Sequence, residues 1–386
     1  MNELKFIDQS LQNILDFEVH LTTKCNMNCV FCGSDELELE GHPGIINNYQ
    51  TVKEIINSAK NKGINRITFS GGEPLMNPDL FEIIDEADKN GFFVNVSTNG
   101  LLINDEYARF VSNRKVSTRI SIHTLERKKF VQITGVDSLE RVVESFEILR
   151  KHNAFFGMTA TIFELNVDEI PQLAQFAFDK GVSLMRFTPV YPAQRGQKFA
   201  ADKQLIKKIM NLNAKQIIKY YEFLELPEKI TYVDPIIVDI ITTRKCIALE
   251  KRFTVFNAEK TTKPCPFYPD KIADGLPEKC AGCDFADTCS GGCVGLNVDV
   301  KEANKFKCMR EIAKDALAEF EQEDVQKILC YWQHIFRRYR YEKYPQLGCV
   351  RKLPIWEIIF NKKAQVNLNI REKIRGVQNG QQFENL

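Results

Sequence analysis

From residue 17 onward, short apolar β-rich runs alternate with segments of helical period, and this alternation restricts the fold more than any other feature of the chain. The strand candidates are Phe17 to Leu21, Arg66 to Phe69, Phe93 to Ser97, Thr118 to Ile122, Gly157 to Ile162 and Ser183 to Phe187. Between them, Val52, Ile55, Ile56 and Ala59 keep one helical face, and Leu139, Val142, Val143, Phe146 and Leu149 keep another. Strands that alternate with amphipathic helices imply an α/β fold whose parallel sheet has right-handed crossovers, closed or partly closed into a barrel. Ligands on such sheets bind at the C-terminal ends of the strands.

After about Ala193 the rhythm stops. A helical stretch, Asp202 to Phe223, leads to a Cys-rich, Pro- and Gly-punctuated region from Cys246 to Cys308 and then to a helical tail. With Lys and Arg at 52 against 51 for Asp and Glu, no global field gathers nucleic acid or an anionic membrane. Met1 to Leu15 lacks a basic and then apolar signal pattern, and no apolar run of about 18 residues occurs, so the chain reads as cytoplasmic with no membrane partner. In a reducing compartment, 12 cysteines point to metal or redox chemistry before disulfides. Residues 337 to 386 carry 11 Lys or Arg against four Glu, either a solvated basic surface or a docking surface for an acidic partner.

Cys25, Cys29 and Cys32 form Cys-x3-Cys-x2-Cys directly after the first strand. Three thiolates on one tight loop can hold three corners of a cubane iron-sulfur cluster and leave one iron open. An open coordination position marks chemistry rather than scaffolding, as it does for zinc. The loop resembles the signature of the radical S-adenosylmethionine (SAM) superfamily. That resemblance implies a 4Fe-4S cluster whose open iron is chelated by SAM, with reductive cleavage to methionine and a 5'-deoxyadenosyl radical, in a partial (β/α)6 barrel. Phe31 matches the family's usual aromatic residue near the adenine. The other reading of the loop is a zinc knuckle lacking one ligand, or incidental thiols.

Ser70-Gly71-Gly72-Glu73-Pro74 ends the second strand. Two glycines let a ligand approach the backbone, and the acidic side chain can accept from an ammonium group. The turn is similar to the family's GGEP motif, which would assign Gly71, Gly72, Glu73 and Pro74 to the SAM amino group. Ser97-Thr98-Asn99-Gly100 resembles the STNG segment, which would bring Ser97 and Asn99 near the ribose and methionine moieties. Ser121 ends the fourth strand, and His123 stands where related enzymes usually have Asp; it can bond a carboxylate or ribose, or point elsewhere. Arg186, at the end of the sixth strand candidate, and Arg195 after the Pro-rich turn could face SAM, substrate or solvent.

Cys280, Cys283, Cys289 and Cys293 give Cys-x2-Cys-x5-Cys-x3-Cys, with Cys308 downstream and Cys246 and Cys265 upstream. The pattern resembles the SPASM extension of radical SAM enzymes, which holds two auxiliary clusters. Carried over, Cys280, Cys283, Cys289 and Cys308 would ligate the distal cluster, and Cys293 would join Cys246 and Cys265 on the proximal one. Its fourth ligand is open; Cys330 and Cys349 are the only spare thiols, or else are buried helix cysteines. Zinc competes for the same module.

The resulting division is a barrel over 1–200, a helical linker over 201–245, a SPASM-like module over 246–310 and a basic tail over 311–386. SPASM enzymes mostly modify peptides, so the resemblance implies a maturase of a ribosomally made peptide with a flavodoxin- or ferredoxin-like electron donor. Only 16 residues precede the first strand, which would leave recognition of a leader to the tail or to a separate protein. A sulfatase-maturing enzyme, an enzyme of small-molecule cofactor precursors, and a zinc-held scaffold without catalysis are the alternatives.

Overall fold

The computed structural model of the chain describes residues 16–33, 44–221, 232–233, 253–258, 261–265, 280, 283, 296 and 308–335. Six consecutive parallel strands, β1 (Asp16–Thr22), β2 (Arg66–Gly71), β3 (Phe93–Thr98), β4 (Val116–Ser121), β5 (Phe156–Ile162) and β6 (Leu184–Pro189), lie side by side in chain order. The intervening helices are α1 (Tyr49–Asn61), α2 (Leu80–Lys89), α3 (Asp105–Ser112), α4 (Arg127–Thr134), α5 (Leu139–Lys151) and α6 (Ile170–Asp179). Val52, Ile55, Ile56 and Ala59 are the buried face of α1, and Leu139, Val142, Phe146 and Leu149 that of α5, while Val143, expected on the same face, is half-buried at its edge. Asn48 and Asn104 start α1 and α3 by accepting from the N–H groups of Thr51 and Tyr107 at 3.0 and 2.8 Å.

The sheet is open rather than closed: β1 and β6 do not pair, and each is flanked by a further strand. Beyond β6 lies β7 (Tyr232–Val233), and beyond β1 lie β8 (Phe253–Phe256), parallel to it, and β9 (Thr262–Lys263). β8 and β9 come from the Cys-rich region, so part of that region completes the barrel's own sheet. Helix α7 (Lys203–Tyr221), in the stretch read as a linker, packs against β6 and β7 and carries α8 (Met309–Leu317) and α9 (Gln322–Ile335). No helix among the described residues is long and apolar enough to cross a membrane.

One face of the sheet is entirely core. Phe17, Val19, Leu21, Ile67, Phe69, Val96, Ile120 and Phe187 are fully buried beneath the helices. The other face is polar and half-buried, with Asp16, Glu18 and His20 on β1, Arg66 on β2, Ser117, Arg119 and Ser121 on β4, and Arg186 on β6. Parallel strands covered on both faces read as unbroken apolar runs. Here the strict alternation in Asp16–Leu21 leaves a concave polar surface for something other than a helix. One boundary differs from expectation: β6 continues to Pro189, and Val190 donates to the Ile162 carbonyl at 3.1 Å. Arg186 therefore sits in mid-strand instead of at its tip.

Candidate functional site

The tips of β1, β2 and β3 are joined by backbone hydrogen bonds. Gly72 N–H donates to the Thr22 carbonyl at 2.7 Å and Glu73 N–H to the Lys24 carbonyl at 2.8 Å, which zips the Gly-Gly turn to the start of the cysteine loop. Gly71 adopts φ +122°, and a Cβ there would stand 2.5 Å from the Thr22 carbonyl oxygen. At Gly72 a Cβ would overlap the Lys24 carbonyl. Both glycines are required by this close approach before any ligand is considered.

Glu73 is fully buried and braces the neighbouring motif. Its Oε1 accepts from Leu75 N–H at 3.0 Å and Thr98 Oγ1 at 2.7 Å, and its Oε2 from Asn99 N–H at 2.7 Å. Burial pushes its carboxyl up to about 7 against the pull of these bonds. Three of the roughly four acceptor positions of the carboxylate are thus committed within the protein. Pro74 opens a short helical turn, Pro74–Met76, that Glu73 caps.

The cysteine loop is held from three sides. Asn28 and Val30 N–H groups donate to the carbonyls of Thr134 and Ile133 at the end of α4, at 2.8 and 2.9 Å. Asn99 Nδ2 donates to Asn26 Oδ1 at 2.6 Å and approaches Cys25 Sγ at 3.9 Å, while Met27 N–H approaches the same sulfur at 3.4 Å. Burial, then the charges of Glu73 and Cys32, push the Cys25 thiol up to about 11; burial, then Cys32 and Cys25, push Cys29 up to about 12. Thiols that repel one another as thiolates are ionised by a bound metal centre. A guanidinium accompanies them: Arg195 donates from Nη1 to Asn28 Oδ1, and its buried Nη2 has no hydrogen-bond partner. The donor set and this unpaired cationic N–H fit a polynuclear iron centre with an anionic ligand group beside it. Among the described residues no three His, Cys, Asp or Glu side chains are gathered around a single-ion site.

His123 is buried and points into the packing at the tips of β4 and β5. Its Nδ1 accepts from Thr161 N–H at 3.1 Å, and burial lowers its pKa to about 4, so it is a neutral acceptor there. Buried Asn166 donates to the carbonyls of His123 and Thr161 at 2.8 and 2.9 Å and accepts from Phe163 N–H at 2.9 Å. Phe31 meets His123 and Phe163 edge to face, with centroids 4.8 and 5.6 Å apart. Ser97 and Ser121 are half-buried on β3 and β4, facing the concave side. Asn166 and Thr98 were not singled out by sequence, since only the meeting of strand tips gives them a role.

The concave face carries a second set that motif reading missed. Ser70 donates to Glu18, and His20 Nε2 lies 3.5 Å from the same carboxylate oxygen. Burial would raise the Glu18 carboxyl, but hydrogen bonds from His20 and Ser70 hold it below the ordinary range. The period-two polar positions of β1 were the available signal.

Of the second cysteine group, Cys265 follows β9, Cys283 N–H donates to the Cys280 carbonyl at 3.1 Å, and Cys308 caps α8, whose Ile312 N–H donates to its carbonyl. Cys283 is exposed; Cys265, Cys280 and Cys308 are half-buried. Cys246, Cys289, Cys293 and Cys349, and the basic residues 337–386, lie outside the described residues, and Cys330 falls within α9.

Residues 19–211 match the family model described as Radical SAM superfamily. GTP 3',8-cyclase of Clostridium perfringens is 27% identical over 204 residues, 52% of this chain and 61% of that protein. A probable GTP 3',8-cyclase of Saccharolobus islandicus is 34% identical over 146 residues, 36% of this chain and 45% of that protein. This chain therefore spans less than two thirds of the length of these two curated relatives. Among solved structures, Streptococcus suis SuiB bound to S-adenosylmethionine aligns with TM-score 0.61 at 14% identity, covering 77% of this chain and 75% of that one. The structure of histidine-tagged anSMEcpe with bound AdoMet aligns with TM-score 0.61 at 16% identity, covering 83% and 98%.

Proposed function

Because the chain belongs to the radical SAM superfamily and is an enzyme of that type, we propose that Cys25, Cys29 and Cys32 hold its SAM-binding 4Fe-4S cluster and that it modifies a ribosomally made peptide. When bound and reduced, the pair supplies a 5'-deoxyadenosyl radical that takes a hydrogen atom from the substrate. The chain's own share is positional. Gly71 and Gly72 keep the β2 tip against the cysteine loop, where this turn would meet the SAM amino group, and the buried Glu73 carboxylate locks the Ser97–Gly100 turn. Arg195 Nη2 offers its unpaired N–H to the SAM carboxylate. Phe31, His123 and Phe163 close the β4 and β5 side with apolar edges, which excludes water next to the reacting carbon.

The observation that carries the radical chemistry is the joining of three separated motifs through Glu73, whose backbone N–H donates to Lys24 of the cysteine loop and whose buried carboxylate accepts from Thr98 and Asn99. Support for a peptide substrate comes from fold neighbours that extend past the barrel. SuiB is described bound to precursor peptide SuiA and covers 80% of this chain, and anSMEcpe is described with the Kp18Cys peptide and covers 82%. In this reading residues 246–310 form a SPASM-like module with two auxiliary clusters on Cys246, Cys265, Cys280, Cys283, Cys289, Cys293 and Cys308. The basic tail would meet an acidic leader, and a flavodoxin- or ferredoxin-like protein would supply electrons in the cytoplasm. A second reading, a nucleotide-derived cofactor precursor as substrate, is favoured by the identity to proteins named GTP 3',8-cyclase.

The test is anaerobic. Iron and sulfide are counted per chain, then SAM and dithionite are added and 5'-deoxyadenosine is measured against Cys29→Ala. About twelve irons, at four per cubane, with Cys29-dependent deoxyadenosine is the expected result. Zinc without iron, or no cleavage, would remove the catalytic reading.

A further inference from the structure

The segment after β6 reaches back to the cysteine loop, and its backbone is bent to do so. Gln194 adopts φ +46°, in the left-handed region that a non-glycine residue rarely occupies. Two residues on, Gly196 has no room for a side chain. A Cβ there would stand 2.4 Å from the Tyr191 carbonyl oxygen and 3.2 Å from that of Phe31, which lies between Cys29 and Cys32. The Gly196 N–H donates to the Ala193 carbonyl at 2.8 Å and closes the turn. Backbone strain persists only where the surroundings impose it, and it gathers at functional sites. Arg195 stands between these two residues.

Its guanidinium meets the same loop. Nη1 donates to Asn28 Oδ1, next in sequence to Cys29, while Nη2 is buried with no hydrogen-bond partner. Asn28 is itself fixed, since its N–H donates to the Thr134 carbonyl at 2.8 Å and a Cβ on Gly135 would stand 3.3 Å from its own. The cation is therefore held at a set place beside the ligand loop. Among the described residues no carboxylate pairs with Arg195, whereas Arg66, Arg114 and Arg127 each have an Asp partner. Burial, then Cys32 and Cys25, push the Cys29 thiol up, and the Arg195 charge pulls it the other way. A neutral amide would brace Asn28 without leaving a charged donor buried and unpaired, which costs free energy. The loop's mechanics do not require the charge.

We infer that the Arg195 guanidinium raises the reduction potential of the 4Fe-4S cluster proposed for Cys25, Cys29 and Cys32, so that the electron needed for SAM cleavage is loaded more readily. This role rests on that cluster reading and is separate from the contact with the SAM carboxylate, which would act on affinity. Net charge and hydrogen bonding around a cluster set its potential. Reduction adds one negative charge, and a fixed, half-buried cation is screened far less than an exposed one, so the reduced form gains more from it than the oxidised form.

The full chain, anaerobically reconstituted and free of SAM, is titrated with dithionite in the presence of redox mediators. The reduced first cluster is followed by electron paramagnetic resonance as the signal that Cys29→Ala lacks, and variants are compared at matched iron content. Arg195→Gln and Arg195→Met should each lower the cluster's affinity for the electron by about tenfold, about 59 mV for a one-electron couple. Arg195→Lys, which keeps the charge, should stay close to the native value. So should Lys198→Gln, an exposed cation three residues on that solvent screens. An unmoved potential in both uncharged variants overturns the inference, as does an equal fall in Lys198→Gln. A fall in Arg195→Lys as large as in the uncharged pair also overturns it, by making the guanidinium bond and not the charge the cause. Loss of the first cluster from both uncharged variants does the same, because Arg195 would then be a brace of the loop. A Cys29-dependent signal in the native chain with unmoved variants removes only the role of Arg195. Absence of that signal from the native chain removes the cluster reading, and this role with it.

Discussion

Two buried groups near the strand tips shift in ways that oppose each other with pH, and replacing either one should expose the other. His123 falls from 6.5 to about 4, while Glu73 rises from 4.5 to about 7, both by burial. For His123 the unfolded chain binds the proton first, so stability is full above about 6.5 and is lost as pH falls towards about 4. For Glu73 the folded chain binds the proton first, so its penalty is absent below about 4.5 and complete above about 7. At 1.36 kcal/mol per pH unit of displacement, moving from about pH 7.5 to about pH 5 costs roughly 2 kcal/mol through His123 and returns roughly 2 kcal/mol through Glu73. In the native chain the two nearly cancel. His123→Asn retains an acceptor for Thr161 N–H but cannot take a proton. Urea unfolding of cluster-free protein, followed by circular dichroism, should therefore show the variant gaining about 2 kcal/mol relative to native as pH drops from about 7.5 to about 5. A difference between the two proteins that is the same at both pH values would refute the buried, neutral assignment of His123.

Other outcomes follow from the same contacts. Gly72→Ala forces a methyl group onto the Lys24 carbonyl. It should cost about 1–3 kcal/mol by overpacking and lower iron retention at the first cluster, read by metal analysis after gel filtration. Asn166→Ala removes three hydrogen bonds that tie the β4 and β5 tips together and should destabilise by about 3 kcal/mol in chemical denaturation. Arg195→Gln should weaken SAM binding by about tenfold in equilibrium dialysis, compared at matched iron content because the Nη1 bond to Asn28 in the cysteine loop is lost together with the unpartnered Nη2.

The six strands and two of the helix faces were legible because periods of 2 and 3.6 are written locally in the chain. Ser70–Pro74 and Ser97–Gly100 were legible as turns at strand ends for the same reason. What sits between them was not: Glu73 reads as a ligand-facing acid, but its partners Thr98 and Asn99 belong to the next strand tip and appear only when β2 and β3 pair. The alternation Asp16, Glu18, His20 was present in β1, yet six crossover units suggest covered strands, so the polar face is visible only once the sheet is seen to be open. β8 has four residues and pairs with β1 across more than two hundred positions of sequence, a separation that no local pattern encodes. Arg186 was misplaced at a tip because Thr188-Pro189 reads as a strand stop, whereas the ladder with β5 carries the strand through it.

The same dependence explains why the motifs are coupled. The Glu73 backbone N–H holds the cysteine loop at Lys24, and its carboxylate holds Thr98 and Asn99, whose side chain in turn reaches Asn26 and Cys25. A change at any one member should therefore be felt in the cysteine loop, not only at a local contact. Groups sharing one buried hydrogen-bond network are non-additive by about 0.5–3 kcal/mol, whereas sites without shared partners add. In a double-mutant cycle Thr98→Val and Glu73→Gln should together cost less than the sum of their separate effects, because either one already leaves the other's partner unpaired. Thr98→Val combined with Asp137→Asn, on the outer surface, should be additive within about 0.5 kcal/mol. Additivity in the first pair would mean that Glu73 does not join the two turns, and that the cysteine loop keeps its shape without the third strand.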